Sequence, residues 1–285
     1  MLIEFLDPLF PYRKWLGLYL FAESEAIMSI LSLHNLTYSY SQSHESAIIQ
    51  GLSMNVHAGE FISIIGVSGS GKSTLFKLIA GLLEPNCGEI RIHGEKCTTN
   101  RLGEVAYMPQ KDLLLPWRTV LDNCLLPWEF NRKPSRGHKE EVIASIQRML
   151  ARFGLGNYEH CYPNELSGGM RQRVAFLRTL ITGQDLLLLD EPFGALDAMT
   201  KREMHRWLLG LWGDLHKTIL FITHDLEEAI LLSDRIYLLP SEHNQTVQEI
   251  HVNLPRPRQY AMNYDPHFIQ LRKDLEQRLY EKTSI

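Results

Sequence analysis

The stretch Gly66-Val-Ser-Gly-Ser-Gly-Lys-Ser73 decides the fold of this 285-residue chain. It matches the pattern Gly-x-x-x-x-Gly-Lys-Ser/Thr, in which a glycine-rich loop points successive backbone N–H groups at phosphate oxygens. The pattern requires a strand before the loop and a helix after it. The apolar run Phe61–Ile65 predicts the strand and Thr74–Leu82 predicts the helix, whose positive end adds to the same site. We therefore predict a site for the phosphates of a nucleotide.

Each residue type in this loop has a predicted role. Lys72 is expected to reach the terminal phosphates, and Ser73 offers a hydroxyl to Mg²⁺. The residues predicted to line the phosphate site are Gly66, Val67, Ser68, Gly69, Ser70, Gly71, Lys72, Ser73 and Thr74. The alternative is a glycine-rich turn that binds nothing, which the strand–loop–helix context disfavours.

An acidic pair follows the next apolar run. Leu186–Leu189 reads as a buried strand and ends in Asp190 and Glu191. Carboxylates at the carboxyl ends of parallel strands lie where open α/β sheets bind ligands. Asp190 suits Mg²⁺, and Glu191 suits the polarisation of a water that attacks the γ-phosphate. The alternative, two solvated acids at a turn before Pro192, is weakened by the phosphate loop.

The rest of the chain predicts an α/β fold with an insertion. Short apolar strands that alternate with helices indicate a parallel sheet covered on both faces. Helical patterns in the middle of the chain interrupt this alternation and look like an inserted unit. The remaining predicted strands are Ser29–Leu36, Glu89–Ile92, Thr218–Thr223 and Ile236–Leu239, and the remaining predicted helices are Val120–Phe130, Lys139–Phe153 and Asp265–Glu281.

Composition narrows the function classes. The formal net charge of −4 removes the commonest electrostatic argument for nucleic-acid binding. No apolar run approaches the roughly 18 residues that a membrane-spanning helix needs, so we expect no such helix. Four widely spaced cysteines predict reduced thiols and no zinc site or disulfide frame. At the N-terminus, Trp15–Ala22 weakly imitates a signal peptide, and Met28 is a candidate for the true start.

A second glycine-containing segment predicts a second anion site. In Leu166-Ser-Gly-Gly-Met-Arg-Gln-Arg173, Ser167 can cap a helix whose first N–H groups are left bare by Gly168 and Gly169. With this LSGG segment the sequence resembles the ATPase subunits of ATP-binding-cassette (ABC) transporters. The resemblance implies a homodimer in which the signature serine and glycines contact the ATP held by the other subunit.

Further positions match the family in order. By resemblance, Gln110 contacts Mg²⁺ and the attacking water, His224 contacts the γ-phosphate, and Asp197 reaches across the dimer. Tyr40 matches the aromatic residue that stacks on adenine, with Tyr38 as its rival.

The resemblance also implies a domain layout. It predicts a P-loop NTPase fold with an antiparallel β subdomain, a parallel RecA-like core and an inserted α-helical subdomain. The predicted ATPase domain spans residues 28–241 with the helical subdomain at about 111–166, preceded by an extension (1–27) and followed by a tail (242–285).

The sequence after Gln110 resembles the importer branch for nitrate, sulfonate, taurine and thiamine-precursor pyrimidines. This implies membrane permease subunits, a solute-binding protein acting indirectly, no nucleic acid, and a peripheral position on the cytoplasmic face of the membrane. We expect Leu113, Leu114, Leu115 and Trp117 either to receive the permease or to form subdomain core. The alternatives are an ABC ATPase of translation or DNA repair, and a P-loop small-molecule kinase.

Overall fold

A computed structural model describes residues 29–40, 47–96, 101–130, 139–240 and 247–280 of the chain. The predicted N-terminal extension (1–27), with its signal-peptide-like run, lies outside the described residues, as do Met28 and Cys97. Cys87, Cys124 and Cys161 are free thiols, as predicted. Among the described helices, none has the length and apolar character that crossing a bilayer requires.

An antiparallel sheet opens the chain. Its strands are β1 (Ser29–Tyr38), β2 (Ile49–His57), β4 (Cys87–Ile92) and β5 (Glu95–Lys96), in the order β2-β1-β4-β5. Strand β1 ends two residues after its predicted end, and β4 begins two residues before its predicted start. Strand β2 was not predicted from the sequence. One face of β1, with Leu31, Leu33 and Leu36, is buried, which is the half-buried pattern of an antiparallel sheet.

A six-stranded sheet forms the centre. Its strands are β3 (Phe61–Ile65), β6 (Ala106–Met108), β7 (Leu186–Asp190), β8 (Thr218–Ile222), β9 (Arg235–Leu238) and β10 (Gln248–His251). The order is β10-β9-β3-β8-β7-β6, and every pairing is parallel except that of β10 with β9. Every residue of β3, β7 and β8 is buried, so the prediction of a parallel sheet covered on both faces is confirmed.

Seven helices are described. They are α1 (Lys72–Ile79), α2 (Val120–Phe130), α3 (Lys139–Arg152), α4 (Gly168–Ile181), α5 (Ala198–Leu215), α6 (Leu226–Leu232) and α7 (Pro266–Tyr280). The predicted bounds of the first helix are wrong by two residues at its start and three at its end. It begins at Lys72 because Gly71 adopts a φ of 86° and serves as the N-cap, and it stops before Gly81, whose φ is 76°.

The inserted helices pack as the sequence predicts. Val142, Ile146 and Leu150 of α3 are buried, together with Met149 and Phe153, and Ile143 packs against the same core at partial exposure. Helix α2 contacts both α3 and α4. An apolar stripe at a spacing of three and four residues buries in this way because it lies on one face of the helix.

The segment after residue 241 joins the main body. Strand β10 extends the central sheet, and Phe268 and Leu275 of α7 are fully buried against α6. The buried Arg258 guanidinium donates hydrogen bonds to the carbonyl of Ile230 in the last turn of α6 (3.0 Å) and to that of Val252 just after β10 (3.2 Å), so it links the two elements. The sheet therefore continues into the region that the sequence resemblance treats as a tail.

Candidate functional site

A cavity of about 600 Å³ lies where the central parallel strands end. Each of β3, β6, β7 and β8 is followed within two residues by a predicted site residue, so the parallel order brings them to one edge of the sheet. The residues that line the cavity are Ile48, Gly66, Ser68, Gly69, Gly71, Lys72, Ser73, Thr74, Gln110, Glu191 and His224. Sequence reasoning predicted all of these except Ile48.

The glycine-rich loop curls as a phosphate-binding loop must. Gly69 and Gly71 have φ values of 84° and 86°, a left-handed conformation that side chains disfavour. A Cβ on Gly66 would lie 2.7 Å from the Ser70 hydroxyl oxygen and 3.1 Å from the Leu239 carbonyl oxygen, so a larger residue would require these neighbours to shift. Lys72 Nζ donates to the carbonyls of Gly66 and Val67, both at 2.9 Å. The ammonium is thereby held beside the loop at the cavity.

The charge state of Lys72 reflects two opposing effects. Burial lowers the pKa of its ammonium, because a charged group loses hydration. The carboxylates of Glu191 and Asp190 raise it, but burial dominates and the pKa stays below its ordinary value. An anion placed in the cavity would favour the charged lysine, so the site is electrostatically suited to phosphate.

Asp190 is a buried carboxylate with two hydroxyl donors. Ser73 Oγ donates to its Oδ1 at 3.0 Å, and Tyr107 Oη donates to its Oδ2 at 3.2 Å. Burial raises the pKa of Asp190, and the two hydrogen bonds oppose that rise. Ser73 lines the cavity, so the pair Ser73–Asp190 presents hard oxygen atoms at its edge.

Gln110, Glu191 and His224 meet on the other side of the cavity. Gln110 Nε2 donates to Glu191 Oε2 at 3.0 Å, and His224 Nδ1 lies 3.6 Å from the same oxygen. Glu191 has a φ of 45°, a conformation that is costly for a residue with a side chain and clusters at functional sites. The three groups converge from the ends of three strands, of which the sequence predicts those before Glu191 and His224, whereas the strand before Gln110 was missed.

The two tyrosines that are candidates for stacking on adenine differ in solvent exposure. Tyr38 is buried in the antiparallel sheet, whereas Tyr40 is 60% exposed. Their rings meet edge to face at 5.1 Å, and Tyr40 Oη lies 3.2 Å from Thr74 Oγ1, next to the phosphate loop. Only the Tyr40 ring has a face available to a base, so Tyr40 stays the candidate and Tyr38 belongs to the core.

The signature segment lies away from this cavity. Ser167 accepts a hydrogen bond from Met170 N at 3.3 Å and caps α4, as predicted, but neither it nor Gly168, Gly169 or Asp197 lines the cavity. A Cβ on Gly169 would meet Thr200 Cγ2 at 2.7 Å, so the signature packs closely on the first turn of α5. Asp197 caps that helix through Met199 N and Thr200 N.

Sequence reasoning missed a buried polar cluster behind His224. Glu228 interacts with His205 Nε2 at 2.9 Å and with Lys201 Nζ at 2.8 Å, and Thr223 Oγ1 also donates to it. Lys201 Nζ further pairs with Asp225 at 2.9 Å. The sequence gives little indication of this cluster, because its residues are spread over α5, α6 and the segment between them, and only the fold brings them together.

Comparison with known proteins agrees with this geometry. The family model described as "ABC transporter" matches residues 49–194. The chain is 41% identical over 259 residues to a formylaminopyrimidine import ATP-binding protein, ThiZ, of Halalkalibacterium halodurans, covering 90% of this chain and 99% of that protein. It is 40% identical to the nitrate import ATP-binding protein NrtD of Synechocystis, covering 78% of this chain and 84% of that one.

Solved structures give the same result. The dimeric structure of MJ0796, a bacterial ABC transporter cassette, superposes with a TM-score of 0.68 at 31% identity, covering 79% of this chain and all of that one. The cbiO1 protein of Clostridium perfringens shares the fold at a TM-score of 0.70, covering 90% of this chain and 99% of that one. The α/β cassette fold predicted from the sequence is confirmed, and the chain belongs to the ABC transporter family.

Proposed function

We propose that this chain is the ATP-binding and ATP-hydrolysing subunit of an importer whose membrane-spanning permease is a separate polypeptide. The observation that carries the proposal is one cavity lined by Lys72, Ser73 and the trio Gln110, Glu191 and His224, with Asp190 hydrogen-bonded to Ser73. The relatives named above are import ATP-binding proteins. A position on the cytoplasmic face of the membrane follows from that role.

Each residue at the cavity has a separate role in phosphoryl transfer. The phosphate loop and the Lys72 ammonium hold the β- and γ-phosphates, which positions the reacting phosphorus. Glu191 orients a water and accepts its proton, Gln110 holds the Glu191 carboxylate by a hydrogen bond, and His224, 3.6 Å from the same oxygen, contacts the γ-phosphate. Tyr40 stacks on the adenine. These assignments rest on placement and chemistry together.

The oxygen donors at the cavity fit Mg²⁺. Ser73 Oγ and Asp190 Oδ1 lie 3.0 Å apart, and Gln110 lines the same cavity. Within the described ranges no group of three or more His, Cys, Asp or Glu residues could hold a metal ion by itself. This suits Mg²⁺, which is usually bound by one or two protein oxygens together with substrate phosphates, whose charge it neutralises when bound.

A second copy of the chain completes the site. The cavity is lined by the phosphate loop but not by the signature segment, and Ser167 heads the capped helix α4 outside it. In a head-to-tail homodimer, Ser167, Gly168 and Gly169 of each chain meet the γ-phosphate held by the other chain. Asp197 caps the helix whose first turn packs against Gly169, and it crosses the same interface.

The permease contacts the segment after Gln110 in this proposal. Leu113 and Trp117 are 57% and 71% exposed, whereas Leu114 is buried. Leu114 therefore belongs to the core, and Leu113 and Trp117 stay candidates for the docking surface. Trp117→Ala should reduce co-purification of the cognate permease. Tyr264→Ala, which removes an exposed aromatic ring from the C-terminal region, is the control and should leave it unchanged.

The cargo belongs to the small solutes of this importer branch. One relative imports formylaminopyrimidine, one imports nitrate, and the TauB protein of Yersinia pestis, 37% identical over 244 residues, imports taurine. Uptake by vesicles containing the permease, its binding protein and this chain tests each solute in turn. We expect ATP-dependent uptake of a pyrimidine precursor. ATPase activity that none of the three solutes stimulates would contradict the branch assignment.

Hydrolysis itself is tested on the purified chain. We expect release of ADP and phosphate from MgATP without any added acceptor. A requirement for a small-molecule acceptor, with transfer of the γ-phosphate to it, would instead favour the kinase alternative.

A further inference from the structure

Strand β6 and the residues that follow it supply hydrogen-bond donors to both Asp190 and Glu191. Gln110, two residues after the strand, donates to Glu191, and Tyr107 within the strand donates to Asp190. Strand β6 runs parallel to β7 with Tyr107 paired to Leu188 and Met108 to Leu189. The tyrosine hydroxyl therefore reaches two residues ahead along the neighbouring strand to meet the carboxylate.

Packing fixes the tyrosine ring. Tyr107 is half-buried and packs against the core cluster between the two sheets, where the buried Phe76 ring meets it edge to face at 6.4 Å. A side chain held in this way loses little further freedom when its hydroxyl forms a hydrogen bond. The Tyr107 hydroxyl is thus a pre-placed donor.

The two oxygens of Asp190 have different neighbours. Oδ1 faces Ser73, which lines the cavity, and Oδ2 faces Tyr107, which does not. A buried carboxylate oxygen without a donor is costly, so the hydroxyl of Tyr107 both stabilises Oδ2 and fixes the rotation of the carboxylate. With Oδ2 held from the protein side, Oδ1 stays turned towards Ser73.

We propose that Tyr107 is a positioning residue for Asp190, and that it sets the orientation of this carboxylate towards the divalent cation of the bound nucleotide. Tyr107 does not line the cavity, so it acts through Asp190. The inference rests on the proposed function, because it assumes that Ser73 and Asp190 serve MgATP. Nothing in the sequence pattern distinguishes this tyrosine from an ordinary aromatic core residue, since only its hydroxyl matters.

The test compares two hydroxyl deletions in the full chain. Tyr107→Phe removes the donor to Asp190 and keeps the ring. Tyr237→Phe is the matched control, because the buried Tyr237 hydroxyl also hydrogen-bonds to a carboxylate, Glu249 Oε2 at 3.0 Å, and to the Asn55 carbonyl at 2.9 Å, outside the cavity. ATP binding is measured by calorimetry over a Mg²⁺ series and in EDTA, and Mn²⁺ binding in the presence of ATP is measured by electron paramagnetic resonance.

We expect Tyr107→Phe to raise the Mg²⁺ and Mn²⁺ concentrations for half-maximal effect about tenfold, as the loss of one hydrogen bond to a charged group implies. ATP affinity in EDTA should stay within about twofold of the wild type, and Tyr237→Phe should change neither cation dependence. The same cation dependence in Tyr107→Phe and wild type, or an equal shift in Tyr237→Phe, would overturn the positioning role. A wild-type chain that binds ATP with no cation dependence would instead overturn the proposed function.

Discussion

The amide nitrogen of Gln110 lies 3.0 Å from the carboxylate oxygen Oε2 of Glu191, and His224 Nδ1 approaches the same oxygen at 3.6 Å. Glu191 occupies a left-handed backbone position with a φ of 45°, so its side chain leaves the end of β7 in a direction that an extended residue would not take. The carboxylate is therefore oriented by its own backbone and by two side chains from neighbouring strands. We read this as the arrangement that aims the general base at the cavity.

Replacing Glu191 by Gln should separate binding from hydrolysis. The amide keeps the size of the side chain but cannot accept a proton from water, so turnover should fall about a hundredfold or more. ATP affinity should be retained. Steady-state phosphate release and equilibrium ATP binding measure the two effects. Glu203→Gln, a change of the same kind on the exposed face of α5, should leave both unchanged. Full turnover in Glu191→Gln would remove this residue from its role.

Replacing Lys72 by Met should weaken nucleotide binding by about a hundredfold. The change keeps the length of the side chain and removes the ammonium that pairs with the terminal phosphates, a charge-assisted interaction worth about 1.5–3 kcal/mol. Calorimetric titration with ATP measures the loss, and titration with AMP supplies the internal control because AMP has no terminal phosphates. Lys273→Met removes an exposed charge from α7 and should bind ATP normally. An equal loss for AMP and ATP would contradict the phosphate assignment.

Replacing Tyr40 by Ala should reduce ATP affinity about tenfold, because stacking of a base on an aromatic ring contributes about 1–3 kcal/mol. Tyr40→Phe keeps the ring and loses only the contact with Thr74 Oγ1, so it should bind nearly as well as the wild type. Fluorescence titration with a labelled ATP measures both. If Tyr40→Phe were as weak as Tyr40→Ala, the hydroxyl and not the ring face would be the important group.

The cluster around Glu228 predicts a pH dependence of stability. Burial raises the pKa of this carboxyl, but hydrogen bonds and charges from His205, Lys201 and Thr223 outweigh burial, and the net pKa lies below the ordinary value of 4.5. The unfolded chain then binds more protons than the folded chain between the two values. The stabilisation is therefore complete above about pH 5 and is lost as pH falls through the folded pKa.

Glu228→Gln should lower the free energy of unfolding by about 3 kcal/mol at pH 7 and flatten its decline below about pH 5. Urea unfolding at a series of pH values measures both quantities. Glu276→Gln changes a half-exposed carboxyl on α7 and is expected to follow the wild-type curve. An unchanged slope in Glu228→Gln would show that other carboxyls carry the acid sensitivity.

The sequence predicts four strands of the central sheet, β3, β7, β8 and β9, and the phosphate loop because they follow strong local patterns, whereas Gln110 and His224 were predicted through the family resemblance. Leu186–Leu189 and Phe61–Ile65 are short apolar runs that end at polar site residues, and parallel strands bring their ends to one edge. The edge strand β10 was missed because Gln248–His251 is polar at most positions and is recognisable only by its pairing with β9. Strand β2 begins beside residues of mixed polarity and contains Gly51, which hides its alternation.

Site residues that act through other residues were the hardest to predict. Tyr107 reads as core until its hydroxyl is seen 3.2 Å from Asp190, and Lys201 and His205 read as ordinary positions of an amphipathic helix. Their roles depend on side-chain directions and on contacts between distant elements, which periodicity does not encode. By contrast, Ser167 was predictable as a helix cap because capping is a local property of the serine and the residues that follow it.

The central claim is that two chains close on ATP with Ser167 of each chain facing the phosphates held by the other. The most direct test is the solution mass of the Glu191→Gln chain, measured by light scattering with and without MgATP, in the presence of a second substitution at position 167. Ser167→Asp and Ser167→Asn both keep an N-cap, but only the carboxylate repels the γ-phosphate.

We predict that MgATP doubles the mass of Glu191→Gln from 32.9 kDa per chain and also doubles it for the Ser167→Asn double variant. The Ser167→Asp double variant should bind ATP and stay a monomer. A Glu191→Gln chain that stays monomeric at saturating MgATP, or a Ser167→Asp variant that dimerises as readily as Ser167→Asn, would contradict the claim.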